Sequence, residues 1–191
     1  MYPVRPLLIT LLMLVMALAA CNDQVKAPVS HTEALRELNT GYGILRTTLR
    51  DQQHLKAIRL TKSLVTFKSV SKPTRQIIDD IAETSSTALE ELEQLASRAP
   101  EIDFDTGRDG DIERRTSDAL RTTTAKEFLT SKEDFELVLL ISQTQALRYI
   151  SHLARELRDI DTNTGRRAWL AALSEHFEKL YLRVLSRLKI A

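Results

Sequence analysis

Leu35, Leu38, Tyr42, Leu45 and Leu49 fall three or four residues apart, and the same interval returns in three later stretches of the chain. A helix completes a turn every 3.6 residues, so this interval stacks apolar side chains on one face, whereas a half-buried strand needs alternation by two. Five glycines and five prolines in 191 residues leave few interruptions. Long runs of Leu, Ala, Glu, Arg and Gln favour helix further. The pattern predicts an all-α protein, a four-helix bundle of two long hairpins joined by a long connection that contains a short extra helix.

The first helix is expected to begin after Ser30. Ser30-His31-Thr32-Glu33 has the spacing at which a hydroxyl and a carboxylate satisfy each other's free backbone donors. Its seam continues through Ala57, Leu60, Leu64 and Phe67 only after two four-residue steps across Gln53, a local stutter. Pro73 in "SKPTRQII" then ends that helix and opens the next, because proline suits a first turn and disfavours helix in the residue before it. Ile77, Ile81, Leu89, Leu92 and Ala96 form the second stripe, which ends before Pro100. "APEIDFDTGRDGD" is a polar connection, followed by a shorter amphipathic piece around residues 112–128. A second capping pattern, Thr130-Ser131-Lys132-Glu133, opens a helix striped by Phe135, Leu139, Ala146, Ile150, Leu153, Leu157 and Ile160. "DTNTG" breaks it, and Trp169, Leu173, Phe177, Leu180, Val184 and Leu188 mark the last helix.

The first twenty residues follow a different rule. A short head with one cation, Arg5, precedes an apolar run at residues 7–17, the layout of a secretory signal peptide. A run of roughly 11 residues makes about 17 Å of helix, short of the roughly 20 residues that cross a bilayer core. The chain's single cysteine, Cys21, follows Leu18-Ala19-Ala20, and this segment resembles the lipobox of bacterial lipoproteins. The resemblance implies a signal peptide over residues 1–20, cleavage after Ala20 and a diacylglyceryl group on the Cys21 sulfur. It also implies an acylated new amino terminus and a lipidated tether over 21–30, ahead of the helical-bundle domain that the stripes predict over 31–191. Each buried methylene stabilises membrane attachment by about 0.8 kcal/mol, so several acyl chains together hold firmly. Asn22 stands where an aspartate tends to mark retention in the inner membrane, which points to the outer membrane, facing the periplasm. The tether from residue 22 to 29 extends at most roughly 26 Å and would keep the bundle near its membrane.

Several functions are disfavoured by the same residues. A lipidated Cys21 leaves no thiol for a disulfide or a nucleophile. Removing residues 1–20 takes one cation, Arg5, from 27 and leaves the 26 acidic residues matched, so no basic footprint for nucleic acid remains. No Gly-rich phosphate cradle and no Gly-x-Ser-x-Gly elbow appears. Cofactors are not expected.

The order of helices resembles that of ferritin-like bundles, which have one long crossover and a di-iron site built from Glu-x-x-His pairs. The ligand pattern is missing. His54 has Asp51 three places before it, while His152 and His176 have Tyr149 and Leu173. Folding the last two helices about the turn near Thr162 would bring His152 within a turn of His176, with Glu156 and Glu175 nearby. Two helical histidines are fewer than the three protein ligands usual in catalytic zinc sites, so both are expected to flank the core instead. The loop carboxylates Asp103, Asp105, Asp109 and Asp111 fail the EF-hand register, because Thr116 or Arg114 stands where the bidentate Glu belongs. Arg114-Arg115 and Arg166-Arg167 are expected on solvated helix faces, and Gln143, Gln145, Tyr149 and Ser151 scatter around their helix.

Length points to an interaction role. A first helix of about 40 residues, roughly 60 Å, would outlast its partners by some 15 to 20 Å. The overhang contains "LNTGYGIL", where Gly41 and Gly43 each weaken a helix by about 1 kcal/mol but permit close backbone approach. Either this end packs on the short extra helix or bends at the glycines, or Leu35, Leu38, Tyr42 and Leu45 form a partner surface. The sequence therefore leads to a lipid-anchored envelope protein, a binding or scaffolding module and not an enzyme, held by its lipid to the membrane and by its bundle to a protein partner. The alternatives are a small-molecule or metal-binding bundle and a degenerate ferritin-like enzyme.

Overall fold

The computed structural model describes residues 31–57, 60, 70–106, 119, 122–123 and 135–189. Two compact units divide the chain, Met1–Glu33 and Ala34–Ala191. The chain forms an all-α bundle of four helices, α1 His31–Gln53, α2 Lys72–Ala96, α3 Phe135–Ile160 and α4 Thr164–Leu188, which from Ala34 onward make up the second unit. Among the described residues there is no strand. None of the helices is long and apolar enough to cross a membrane, again among the described residues.

α1 is described from His31, and Ser30 of the expected capping pattern lies outside the described residues. The expected continuous helix of about 40 residues does not form. α1 stops at Gln53, and the His54 amide turns back three residues to the Asp51 carbonyl at 3.3 Å before helix resumes at 55–57. The break coincides with the two four-residue steps, where a fixed seam can no longer track a helix that turns every 3.6 residues. α2 has Pro73 in its first turn and ends at Ala96, four residues before Pro100. α4 starts at Thr164, capped by Asn163, whose side-chain oxygen accepts from the Arg166 amide at 2.9 Å. Pro73 is the signal read from the sequence, while the Asn163 cap lies in the "DTNTG" stretch that the sequence marks only as a break.

The stripes bury largely as expected. Ile77, Ile81, Leu89, Leu92 and Ala96 of α2 are core, as are Leu173, Phe177, Leu180 and Val184 of α4. In α3 the stripe is rotated. Leu140, Gln143, Leu147, Ser151 and Ala154 face inward beside Phe135, Leu139, Ile150 and Leu157, while Ala146 is half-buried and Ile160 is exposed. The amphipathic piece at 112–128 is described only at Ala119, Thr122 and Thr123, which are helical, and the second capping pattern lies outside the described residues.

α3 and α4 make the closest helix pair, and α4 also packs on α2. Small residues permit the approach: Ser174 Oγ donates to the Ser151 carbonyl at 3.1 Å, and the two hydroxyl oxygens lie 3.1 Å apart. Arg155 covers the contact, donating from Nε to Ser174 Oγ at 2.9 Å and facing Glu178 at 3.4 Å. α1 is fixed through side chains. Arg46 meets Glu93 of α2 at 2.9 Å, and a Cβ built on Gly41 would stand 2.6 Å from Leu157 Cδ2 of α3. Gly43 passes under the connection, where a Cβ would lie 2.9 Å from the Phe104 carbonyl oxygen. The close approach expected of the two glycines is therefore made within the bundle itself.

Candidate functional site

Burial decides the fate of the proposed partner surface. Leu38, Tyr42 and Leu45 are core residues, Tyr42 and Leu45 with no exposed surface, and Leu35 packs against the same core. All four side chains pack within or against the bundle's own core cluster. Cys21 and Ala20 lie outside the described residues. His152 and His176 are both exposed, and among the described residues no three His, Cys, Asp or Glu side chains gather as a metal site requires. Asp103 answers its own loop, accepting from the Asp105 amide at 2.9 Å and the Thr106 hydroxyl at 2.6 Å. These bonds hold its carboxyl below the usual range. Asp109, Asp111, Arg114 and Arg115 lie outside the described residues.

Arg166 overturns the expectation of a solvated Arg-Arg pair. Arg167 is exposed, but the Arg166 side chain is fully buried, as is its partner Asp161. A buried charge pair needs nearly every donor and lone pair satisfied, and here the turn between α3 and α4 meets that demand. Arg166 donates from Nε to Asp161 Oδ2 at 2.6 Å and from Nη2 to Oδ1 at 3.0 Å. Its Nη1 reaches the Arg98 and Pro100 carbonyls, each at 2.8 Å, across the cis Ala99–Pro100 peptide. Tyr42 donates its hydroxyl to Asp161 Oδ2 at 2.6 Å, and the Asn163 amide donates to Oδ1 at 2.8 Å. Asn163 Nδ2 ties the Ala99 carbonyl at 2.8 Å. One ion pair thus joins α1, the end of α2 and the α3–α4 turn.

The ionisation states follow from this geometry. Burial alone would raise the Asp161 carboxyl, but hydrogen bonds from Arg166, Tyr42 and the Asn163 amide, with the Arg166 charge, outweigh it and hold it below the usual range. Tyr42 moves the other way, raised first by burial and then by its bond to the Asp161 carboxylate. Its phenol stays protonated. The set has no exposed face for a substrate and no free nucleophile, so its chemistry is structural.

A second polar cluster closes the opposite end. Glu136, in the first turn of α3, accepts from the Ser71 amide at 2.8 Å, the Ser71 hydroxyl at 2.6 Å and the Thr74 hydroxyl at 2.5 Å. Ser71 is the residue before α2, so a carboxylate from α3 does the capping that its own side chain does not. Arg187, near the end of α4, donates to Ser71 Oγ at 3.1 Å and Thr74 Oγ1 at 3.3 Å, and lies 3.6 Å from Glu136. Burial pushes Glu136 up, yet the Ser71 and Thr74 bonds and the Arg187 charge leave it below its ordinary value. Beside this cluster, Pro73, Gln76, Ile77, Arg183, Ser186 and Arg187 line an open cleft of about 390 Å³ between α2 and α4. It brings the guanidinium groups of Arg183 and Arg187 to one concave, solvent-open surface.

Neither cluster was foreseeable as a unit. Asp161 and Arg166 stand five apart across a turn, outside the three- and four-residue intervals that flag helical pairs. Glu136 and Arg187 are joined only by the fold. The Asn163 cap was the single available signal, since a cap residue fixes how α4 leaves the turn. No protein-family model, curated protein or solved structure matches the chain.

Proposed function

We propose that the chain is a lipid-anchored protein of the bacterial envelope, facing the periplasm, whose bundle is a binding or scaffolding module without catalysis. One observation carries this reading: the only cysteine, Cys21, directly follows Leu18-Ala19-Ala20 at the end of an apolar run too short to span a bilayer. Lipidation there would make residues 22–30 a short leash and α1 the first element of the folded part. The scaffold reading draws on the polar groups of the bundle, which bind one another at both ends and so favour a fixed shape over a reactive one. Its protein partner would bind outside the α1 face named from sequence, because that face is core.

Mass spectrometry of the amino-terminal peptide from the native host tests the anchor. The expected species begins at Cys21 and carries acyl mass, and an unlipidated mature chain would refute the anchor. Cross-linking in intact cells then compares the native form with a Cys21→Ser form exported by an ordinary signal. A defined partner recovered with the anchored form alone is the expected result.

A further inference from the structure

We propose that the cleft between the start of α2 and the end of α4 binds a phosphate group, through Arg183 and Arg187 with Gln76 and Ser186 beside them. This inference does not depend on the anchor. Arg183 and Arg187 stand one helical turn apart on α4 and both line the cleft, whereas their acidic partners Asp80 and Glu136 do not. A guanidinium has five donors in a rigid fork that matches the oxygens of phosphate. Arg166 shows what full engagement looks like, with Nε, Nη1 and Nη2 all donating at 2.6 to 3.0 Å. The cleft arginines are engaged far less. Arg183 donates from Nη2 to Asp80 at 2.6 Å, and Arg187 donates from Nε and Nη2 to two neutral hydroxyls. Among the described residues the Nη1 groups of both have no protein acceptor.

The acids answer these charges incompletely. Glu136 is 3.6 Å from Arg187, and its oxygens already accept three shorter bonds from Ser71 and Thr74. Those same hydroxyls hold the Arg187 side chain, which is only 23% exposed, in place before any ligand arrives. Such preorganisation lowers the ordering cost of binding. The buried Ile77 forms an apolar part of the wall, where a charged hydrogen bond is screened less than in open water. A carboxylate presents two acceptor oxygens and one charge, but a phosphate presents three or more acceptors and up to two charges. The open Nη1 groups of two guanidiniums and the Gln76 amide fit the phosphate better, while the Ser186 hydroxyl donates to the Arg183 carbonyl at 2.8 Å and lines the cleft without adding a donor.

The test is a titration of the full chain at low ionic strength with inorganic phosphate, and separately with acetate, followed by NMR of the arginine Nε–H groups. Saturable shifts at Arg183 and Arg187, with none at the exposed Arg36, are expected. Phosphate should bind at least about tenfold more tightly than acetate, given the extra charge and acceptors. Arg187→Lys should weaken binding about tenfold by removing the fork while keeping the charge. Because Arg187 also braces the fold, Arg183→Gln and Gln76→Leu supply variants on exposed positions, each expected to weaken binding severalfold. Equal affinity for acetate, equal shifts at Arg36, or phosphate binding unchanged in these variants would overturn the proposal. The absence of any saturable shift would do the same.

Discussion

The two ends of the bundle solve one problem in different ways. At the α3–α4 turn, Asp161 and Arg166 are both fully buried, and each is bonded by the other and by backbone groups. At the other end, Glu136 and Arg187 remain 23% exposed and communicate mostly through the hydroxyls of Ser71 and Thr74. Both clusters join three helices or their connections. Their energetic character differs: an ion pair without water depends on complete pairing, while a pair that still sees water can exchange a lost partner for solvent. The first end is therefore a rigid lock and the second an adaptable one, and the adaptable end is the one beside an open cleft.

Removing one charge from each end should expose that difference. Arg166→Met is expected to destabilise the protein by about 3 to 5 kcal/mol, because it strands the Asp161 carboxylate in a dry site and frees the Arg98 and Pro100 carbonyls. Arg187→Met, whose partners keep access to water, should cost about 1 to 2 kcal/mol. Urea unfolding of both variants measures the contrast. A double variant, Asp161→Leu with Arg166→Met, should recover part of the loss, since no unpaired charge remains. Equal costs for the two single variants would break the distinction between the ends.

The legible part of this fold is the part governed by local chemistry. Pro73 opens α2, the Asn163 region opens α4, and the stripes of α2 and α4 were readable because each position answers to its own helix. The length of α1 was not readable, although its weak point was. The two four-residue steps at Gln53 mark where the helix is interrupted, at His54, before helical residues resume at 55–57. Arg166 was misplaced because an Arg-Arg pair ordinarily solvates, and only the folded turn brings Asp161 and two carbonyls within reach of one of the two. The α1 leucines were offered to a partner for the same reason. An apolar face states that it must be covered, and only the fold says by what.

The glycines of α1 sharpen the comparison at an intermediate scale, because both lie on the helix that Tyr42 pins to the buried lock. An alanine in a helix is worth about 1 kcal/mol over glycine before any contact is counted. At Gly43 the new methyl would stand 2.9 Å from the Phe104 carbonyl oxygen, a backbone atom that cannot rotate away. Gly43→Ala should therefore destabilise by about 1 to 2 kcal/mol net, within the usual cost of overpacking. At Gly41 the obstacle is the tip of the Leu157 side chain, which can change rotamer. Gly41→Ala should cost less than Gly43→Ala in the same thermal unfolding series, and the reverse order would mean that α3, not the 97–106 connection, sets the position of α1.

Acid separates the ends with the smallest effect. Both carboxyls have folded values below their ordinary ones, 3.8 for Asp161 and 4.5 for Glu136. On acidification the unfolded chain therefore takes up protons first, and stability falls as pH drops through the folded values. Above about pH 6 both groups are ionised in either state and contribute no slope. Glu136→Gln should lower stability at neutral pH by about 1 kcal/mol, since an amide cannot accept at both oxygens. It should also flatten the decline that begins near the Glu136 reference value, leaving the later decline from Asp161 intact. Urea midpoints from pH 7 down to pH 3 test this. A profile in which Glu136→Gln changes only the neutral value would remove Glu136 from the acid response and leave it to the carboxyls whose folded values are also lowered, Asp161 in the buried lock and Asp103 in its loop.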